Sequence, residues 1–133
     1  QTKIKYPELF DIDIRSIDNS EIANLFASAD YFVQPYRVVS QSGPTKISFN
    51  YNLPIIASNL PGFSDEILEN VNGYLFEPGN VNDLVRVMAS AIDTYTCDYS
   101  KLKASMAEHT ERYYSAEKIA SQYIEMFDEV LCR

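Results

Sequence analysis

The feature that most constrains the fold is a regular succession of short apolar segments and longer amphipathic ones. Strand-like segments are centred near residues 12, 32, 55 and 75, at intervals of about twenty residues. The first alternates apolar and polar residues over positions 10–14, whereas positions 54–57 are almost wholly apolar, as in a sheet covered on both faces. Strands that alternate with helices in this way form right-handed βαβ units. The sequence therefore predicts an α/β fold with a Rossmann-like parallel sheet.

Helix-start signals lie between these segments. Asp18 precedes Glu21 by three residues, a capping-box pattern, and an apolar face follows it. A second helix is predicted over about 43–51, with Pro44 in its first turn, where a missing N–H costs nothing. A short helix is predicted over 64–68.

The second half of the chain is mainly helical. Asn80 is typical of a helix N-cap and precedes a long apolar periodicity that we expect to end near Tyr95. Another helix is predicted over about 100–110, and a last one near the end of the chain. We divide the chain into a partial Rossmann-like domain, 1–113, and a C-terminal helix, 114–133. The apolar stripe of that helix predicts that it docks on a neighbour outside this chain through Ile119, Tyr123, Met126 and Phe127.

Charge and composition exclude several classes of function. The net charge is −8, with 19 acidic and 11 basic residues, which disfavours a nucleic-acid partner or an anionic membrane surface. No apolar run approaches the roughly 18 residues of a membrane span, and the first residues lack the apolar core of a signal peptide. Cys97 and Cys132 are far apart and have no metal-binding spacing, as in a reduced cytoplasmic protein.

The loop before the second helix has the chemistry best suited to a ligand. In parallel α/β sheets ligands bind beyond the carboxyl ends of the strands. Ser42 and Gly43 stand there before a helix start, whose free N–H groups and dipole favour a phosphate. Gly43 allows close approach to the backbone, and the Ser42 and Thr45 hydroxyls add donors. The alternative is that Ser42 only caps the helix.

Other titratable residues have simpler explanations. Asp11 and Asp13 look like a catalytic pair, but the alternation places them on one solvated face of a strand. His109 is the only histidine and lies at a polar helix end, where a catalytic role is less expected than a surface one. A Walker loop and a G-x-G-x-x-G motif are both missing, which argues against an NTPase or a dehydrogenase.

Four segments, in order, resemble family 4 glycosyltransferases (the glycosyl transferases group 1). Residues 23–36 are similar to the stretch before that family's donor site. Residues 52–67 resemble its "G-x-P-V-I-A … G-G-x-x-E" segment, and 72–80 its "G-x-L-x-x-P-G-D" turn. Residues 114–131 look like its closing helix. The resemblance covers nearly the whole chain, and its strength lies in the order and spacing of the four segments.

The resemblance implies a GT-B enzyme in which two Rossmann-like domains face a cleft. The chain would be the C-terminal half of the donor domain, and the N-terminal domain would be missing from it. Such an enzyme is a cytoplasmic bacterial hexosyltransferase that transfers sugar from a UDP- or GDP-sugar, with retention, to a saccharide or lipid-linked acceptor in surface polysaccharide biosynthesis. It needs no metal or other cofactor. The missing domain would supply any contact with the inner face of the membrane, and the chain alone would be inactive.

The resemblance also implies site residues, although it assigns no catalytic side chain. The donor diphosphate would bind at Ser42, Gly43 and Thr45, and the nucleobase beside Ser16 and Ile17. At the acidic end of the "G-G-x-x-E" segment stand Asp65 and Glu66. An alternative for this pair is that their carboxylates complement the dipole in the first turn of a short helix.

One departure from the family pattern concerns the donor sugar. The family places two Glu residues eight apart around this loop, and the matching positions here are Val39 and Ile47. Neither side chain accepts a hydrogen bond. Gln41, within a Gln-Ser-Gly run that is similar to one branch of the family, would replace part of the lost sugar contact.

The departure keeps a second function open, a non-catalytic glycosyltransferase-like module that pairs with another subunit. A third, a flavodoxin-like signalling domain, needs an acidic pocket at the strand ends. Those ends instead carry Ile17, Gln34, Ala57 and Phe76.

Overall fold

The computed structural model describes residues 4–132, apart from the side chain of Thr96. Within that range the chain forms three strands and five α-helices, preceded by a 3-10 turn at Pro7–Leu9. The strands are β1 (Phe32–Gln34), β2 (Ile55–Ser58) and β3 (Gly73–Phe76). The helices are α1 (Asn19–Ser28), α2 (Gly43–Asn50), α3 (Pro61–Ser64), α4 (Val81–Tyr114) and α5 (Ala116–Leu131).

The strands form one parallel sheet in the order β1-β2-β3. Phe32 pairs with Ile55, and Ile55 pairs in turn with Gly73, so neighbouring strands begin level with one another. Helices α2 and α3 make the connections between consecutive strands. The predicted α/β class and parallel sheet are confirmed.

The core lies on both faces of β2. Successive side chains of a strand point to opposite faces. Ile55 and Ala57 belong to a cluster with Phe49, Phe63, Ile67 and Met106. Ile56 belongs to a second cluster, with Phe76, Val87 and Ala91. The helices therefore cover both faces of β2, as its apolar sequence predicts.

Two of the predicted helix caps are confirmed. The Asp18 carboxylate accepts a hydrogen bond from Ser20 N at 2.8 Å, and Glu21 completes the capping box by accepting from Asp18 N. The Asn80 side chain accepts from Asp83 N at 3.1 Å at the start of α4.

The strand predicted over positions 10–14 is wrong. Phe10, Ile12 and Ile14 are 59%, 58% and 92% exposed, and the described strands leave this segment unpaired. An alternating pattern becomes a strand only where a neighbouring strand accepts its hydrogen bonds and a core covers one face. Neither is present beside this segment. Asp11 and Asp13 therefore do not share the face of a strand.

The predicted end of the long helix near Tyr95 is also wrong, because α4 continues without a break to Tyr114. No Pro or Gly interrupts these residues. Tertiary contacts hold the stretch in question: Tyr95 Oη donates to Asp30 Oδ1 at 3.0 Å, and Tyr99 Oη donates to the Asp30 carbonyl at 2.7 Å.

The short helix α3 begins earlier than the predicted 64–68. Pro61 is its first residue, and buried Phe63 and Ile67 hold it against the sheet. Asp65 is therefore the C-cap residue and Glu66 follows the helix. The alternative that these carboxylates complement the dipole in a first turn is wrong, because they lie at the opposite end of the helix.

Helix α5 leaves its apolar stripe uncovered. Ile119, Tyr123, Met126 and Phe127 are 41%, 57%, 47% and 56% exposed. The predicted docking on a neighbour required that these residues are not all buried within the chain, and the structure meets this condition. The neighbour and the division into 1–113 and 114–133 remain predictions.

Candidate functional site at the carboxyl edge of the sheet

Three loops meet where the parallel strands end. The loop after β2 contacts the end of β3, since Asn59 N donates to the Phe76 carbonyl at 2.7 Å. The last residue of β2 contacts the end of β1, since Ser58 Oγ donates to the Gln34 carbonyl at 3.5 Å. This edge is where a parallel α/β sheet binds ligands.

Gly62 allows the loops after β1 and β2 to pack closely. A Cβ atom at position 62 would lie 2.7 Å from the Ser40 carbonyl oxygen and 3.2 Å from Val39 Cγ1. The rings of Tyr36 and Phe63 pack beside it with centroids 5.6 Å apart. A side chain at position 62 would push the loop before α2 away from the sheet.

Ser42 stands at the N-cap position of α2, but its side chain does not cap the helix. Its Oγ instead accepts a hydrogen bond from Gln34 Nε2 at 2.8 Å. The alternative that Ser42 only caps the helix is therefore wrong. The helix start keeps its backbone donors and the positive end of its dipole.

Gly43 and Thr45 lie in the first turn of α2 and differ in accessibility. Gly43 is exposed, and a Cβ atom there would meet nothing within 4 Å, so a ligand can approach the backbone closely. Thr45 is completely buried, and its Oγ1 donates to Gln34 Oε1 at 2.9 Å. The hydroxyl hydrogen of Thr45 is therefore engaged in the hydrogen bond to Gln34.

Gln34 joins these two residues, although no motif in the sequence indicated a role for it at the site. It is the last residue of β1 and only 1% exposed. The available signal was a polar residue at the end of a buried strand, because such a group must find partners inside the protein. Its partners, eight and eleven residues later in the chain, are not visible in a local pattern.

Ile17 lies near the start of α2. It lines an apolar groove of about 360 Å³ together with Pro44 and Ile47. The other residues of the groove are Ile22, Leu25, Phe26, Ala29, Phe32 and Leu53. Ser16 precedes Ile17 and is exposed. The structure thus brings one of the two predicted nucleobase residues to the first turn of α2.

Apolar side chains occupy the two positions where the family pattern has Glu. Val39 packs against the core cluster around Phe49, and Ile47 faces the groove. Gln41, next to Ser42, is exposed and has no recorded hydrogen bond within residues 4–132. Its predicted contact with the donor sugar stays a prediction.

The remaining candidates do not converge on the loop before α2. Glu66 forms an ion pair with Lys46 at 2.8 Å, and Asp65 is exposed. Asp13 pairs with Arg15 at 2.9 Å in the N-terminal segment. Asp11 is exposed there as well.

His109 lies in the second half of α4. Its ring packs 4.8 Å from that of Tyr113, between centroids. Burial, and next the neighbouring Arg112, lower the pKa of His109. The groove beside it is lined by Leu68, Val71, Ser105, Glu108, Arg112 and Tyr113. None of these belongs to the three loops at the carboxyl edge.

Within residues 4–132, no three His, Cys, Asp or Glu residues are grouped as a metal site would require. None of the helices in this part of the chain is long and apolar enough to cross a membrane.

Comparison with known proteins places the chain in a family. The model of the family described as "Glycosyl transferases group 1" matches residues 14–113, which is most of the chain. Glycogen synthase 2 of Agrobacterium fabrum is 26% identical over 137 residues, which cover 96% of this chain and 26% of that protein. The chain thus spans about a quarter of the length of this curated relative.

Two solved structures share its fold. Anabaena Alr3699/HepE, in complex with UDP, matches with a TM-score of 0.72 and 18% identity, over 84% of this chain and 30% of that one. The catalytic domain of starch synthase IV from Arabidopsis thaliana, bound to ADP and acarbose, matches with a TM-score of 0.66 and 20% identity, over 89% of this chain and 26% of that one. The parallel sheet, the helices around it and the match to the family model agree, and the chain belongs to the glycosyl transferases group 1 family.

Proposed function

We propose that this chain is the nucleotide-sugar-binding part of a hexosyltransferase-type glycosyltransferase, with the donor diphosphate bound at the start of α2. The observation that carries this proposal is the helix start itself. Ser42 stands at the N-cap position without capping, and Gly43 leaves the backbone open. Backbone N–H groups and the helix dipole at such a start attract a diphosphate.

Ser42, Gly43 and Thr45 have different roles in this proposal. The Ser42 hydroxyl donates to a phosphate oxygen, and the backbone N–H groups of Gly43 and Thr45 donate to others. The Thr45 hydroxyl is already bonded to Gln34 and contributes only to the shape of the loop. As the bond from sugar to diphosphate breaks, the helix dipole stabilises the negative charge that develops on the leaving group. No metal or cofactor is part of this proposal.

The rest of the donor would extend on either side of the diphosphate. The nucleobase would lie beside Ser16 and Ile17, and the sugar beside Gln41. The HepE structure contains UDP and the starch synthase structure contains ADP, which supports a nucleoside diphosphate here. We propose a UDP- or GDP-sugar as donor and a saccharide or lipid-linked acceptor. The sugar would be transferred with retention in bacterial surface polysaccharide biosynthesis, in the cytoplasm and together with an N-terminal GT-B domain.

Val39 and Ile47 favour a second candidate, a non-catalytic glycosyltransferase-like module that interacts with another subunit. Both face apolar surroundings, a core cluster and the groove, where hydroxyl groups of a donor would find no acceptor on these side chains. This candidate predicts a folded protein without affinity for nucleotide sugars.

Calorimetric titration of the complete protein with UDP, ADP, GDP and their sugars distinguishes the two. We expect micromolar binding of one nucleotide. Gly43→Asp should abolish it, because the new carboxylate would repel the diphosphate at the helix start. The Cβ atom of the new side chain would meet nothing within 4 Å.

Ala104→Asp is the matched control, since it adds the same charge on the exposed face of α4 and should bind as the parent does. A folded protein that binds none of the nucleotides, or a Gly43→Asp variant that binds as well as the control, would contradict the proposed donor site.

A further inference from the structure

The side chain of Gln34 is buried where the loop before α2 meets the sheet. It is 1% exposed, at the carboxyl end of β1. A buried amide is costly unless both of its ends have hydrogen-bond partners. Gln34 has one for each end, Ser42 for its nitrogen and Thr45 for its oxygen. Both partners belong to the start of α2.

The two hydrogen bonds run in opposite directions. Gln34 Nε2 donates to Ser42 Oγ at 2.8 Å, so the Ser42 hydroxyl is the acceptor. Its own hydrogen remains available, and no acceptor for it is recorded within residues 4–132. Thr45 Oγ1 donates to Gln34 Oε1 at 2.9 Å, which uses the hydrogen of that hydroxyl. The amide therefore assigns opposite roles to two neighbouring hydroxyl groups.

Ser42 does not cap α2, in contrast to the N-cap residues of three other helices. The side chains of Asp18, Asn80 and Ser115 accept hydrogen bonds from backbone N–H groups at the starts of α1, α4 and α5. Ser42 holds the equivalent position in α2 and does not. Its oxygen lies toward Gln34 instead, so the N–H groups of the first turn are not satisfied by a side chain of the N-cap.

We propose that Gln34 is a positioning residue of the donor site, which turns the Ser42 hydroxyl into a donor for the diphosphate and keeps the start of α2 uncapped. This inference rests on the proposed function, because the diphosphate is its ligand. Gln34 acts through Ser42 and Thr45 and is too deeply buried to touch the ligand.

Gln34→Glu in the complete protein tests this directly. Glu has nearly the same shape, but its carboxylate only accepts hydrogen bonds. It would draw the Ser42 hydrogen inward and place a negative charge beside the diphosphate. We expect the affinity for the nucleoside diphosphate that the parent binds, whether UDP, ADP or GDP, to fall about tenfold or more, as for loss of a hydrogen bond to a charged group.

Two readouts separate positioning from a general structural role. The first readout is the affinity of the Gln34→Glu variant divided by that of the parent, measured at pH 8 and at pH 5. This ratio should be higher at pH 5, because a protonated carboxyl group again provides a hydrogen-bond donor to Ser42. Adding Ser42→Ala to Gln34→Glu should weaken binding little further, because both changes remove the same contact. Gln122→Glu, the same change on the exposed face of α5, is the matched control and should bind as the parent does.

The outcomes are distinct. If the parent binds none of UDP, ADP and GDP, the proposed function fails and this inference with it. If the parent binds and the folded Gln34→Glu variant binds equally well at both pH values, the inference alone is overturned. If that variant does not fold, Thr45→Val replaces it. It removes the hydrogen bond that orients the amide, keeps the backbone donor, and should weaken binding several-fold. Unchanged affinity in a folded Thr45→Val protein would overturn the inference.

Discussion

Two glycines of this chain serve opposite purposes at the scale of single residues. Gly73 pairs with Ile55 in the sheet, and a Cβ atom there would lie 2.1 Å from the Ile55 carbonyl oxygen. Gly43 begins α2, and a Cβ atom there would meet nothing within 4 Å. Position 73 thus requires glycine for the fold, whereas position 43 leaves room for a ligand.

We therefore expect Gly73→Ala to destabilise the protein and Gly43→Ala to leave its stability nearly unchanged. The methyl group at position 73 must push β3 away from β2, an overpacking that costs about 1–3 kcal/mol or more. At position 43 the methyl group has room, so Gly43→Ala should change the free energy of unfolding by roughly 0.5 kcal/mol or less. Urea denaturation of both variants measures the difference. Equal free energies of unfolding would contradict the close contact between β3 and Ile55.

At the scale of elements, α4 is the part of the fold that connects most of the others. Its first half packs Val87 and Ala91 against one face of the sheet, and its second half packs Met106 against the other cluster. Hydrogen bonds from Tyr95 and Tyr99 to Asp30 tie its middle to the turn before β1. Burial, and next the charge of Asp30, raise the pKa of Tyr99 to about 12, so its hydroxyl remains a hydrogen-bond donor at a more alkaline pH than an ordinary tyrosine.

His109, near the end of α4, should make stability depend on pH between 7 and 5. Its pKa is lowered in the folded protein from the ordinary 6.5, first by burial and then by Arg112. As the pH falls through 6.5, the unfolded chain takes up this proton before the folded chain does, so the free energy of unfolding decreases. The stability that neutral His109 contributes is fully present above pH 6.5 and is lost as the pH falls through the pKa of His109 in the folded protein.

Urea midpoints at pH 7 and pH 5 measure this effect, and the His109→Gln variant is its control. The carboxyls with lowered pKa, Asp18, Glu21 and Asp83, start from ordinary values of 3.8 to 4.5. Their contribution to stability is lost as the pH falls through the pKa values of the folded protein, which lie below the interval from pH 7 to pH 5. A midpoint of the parent that does not fall more than that of the variant would refute the assignment to His109.

At the scale of the whole molecule, the described chain divides into a covered sheet and an uncovered C-terminal helix. The side chain of Met106 in the first cluster is completely buried, whereas the apolar stripe of α5 remains about half exposed. The chain also covers only 26–30% of the three proteins to which it was compared. The stability of the chain by itself should therefore depend on the sheet and its two clusters, and little on the stripe of α5.

Truncation of one buried and one exposed apolar residue tests this division. Met106→Ala should lower the free energy of unfolding of the chain by about 2–5 kcal/mol, because it leaves a cavity in the core. Phe127→Ala should change the free energy of unfolding by roughly 0.5 kcal/mol or less, because the ring of Phe127 is largely exposed and makes few contacts that the substitution would remove. Chemical denaturation of the 133-residue chain gives both values. A large effect of Phe127→Ala would show that α5 packs within the chain after all.

The sequence by itself determined the α/β class, the three strands of the sheet, the starts of α1 and α4, and the position of the loop before α2. All of these depend on local signals: apolar runs, cap residues, and a Pro or Gly at a helix start. The family pattern also located the two apolar residues, Val39 and Ile47, at which this chain departs from it.

Only the tertiary structure decided the features that depend on distant partners. Positions 10–14 have a strand pattern, but none of the strands within residues 4–132 lies beside them. Helix α4 runs unbroken where Asp30 binds two of its tyrosines. Gln34 is the clearest case at the site, because its role arises from hydrogen bonds to Ser42 and Thr45 across the loop. A local pattern cannot show such a contact, since whether a buried polar group finds its partner depends on how the chain packs.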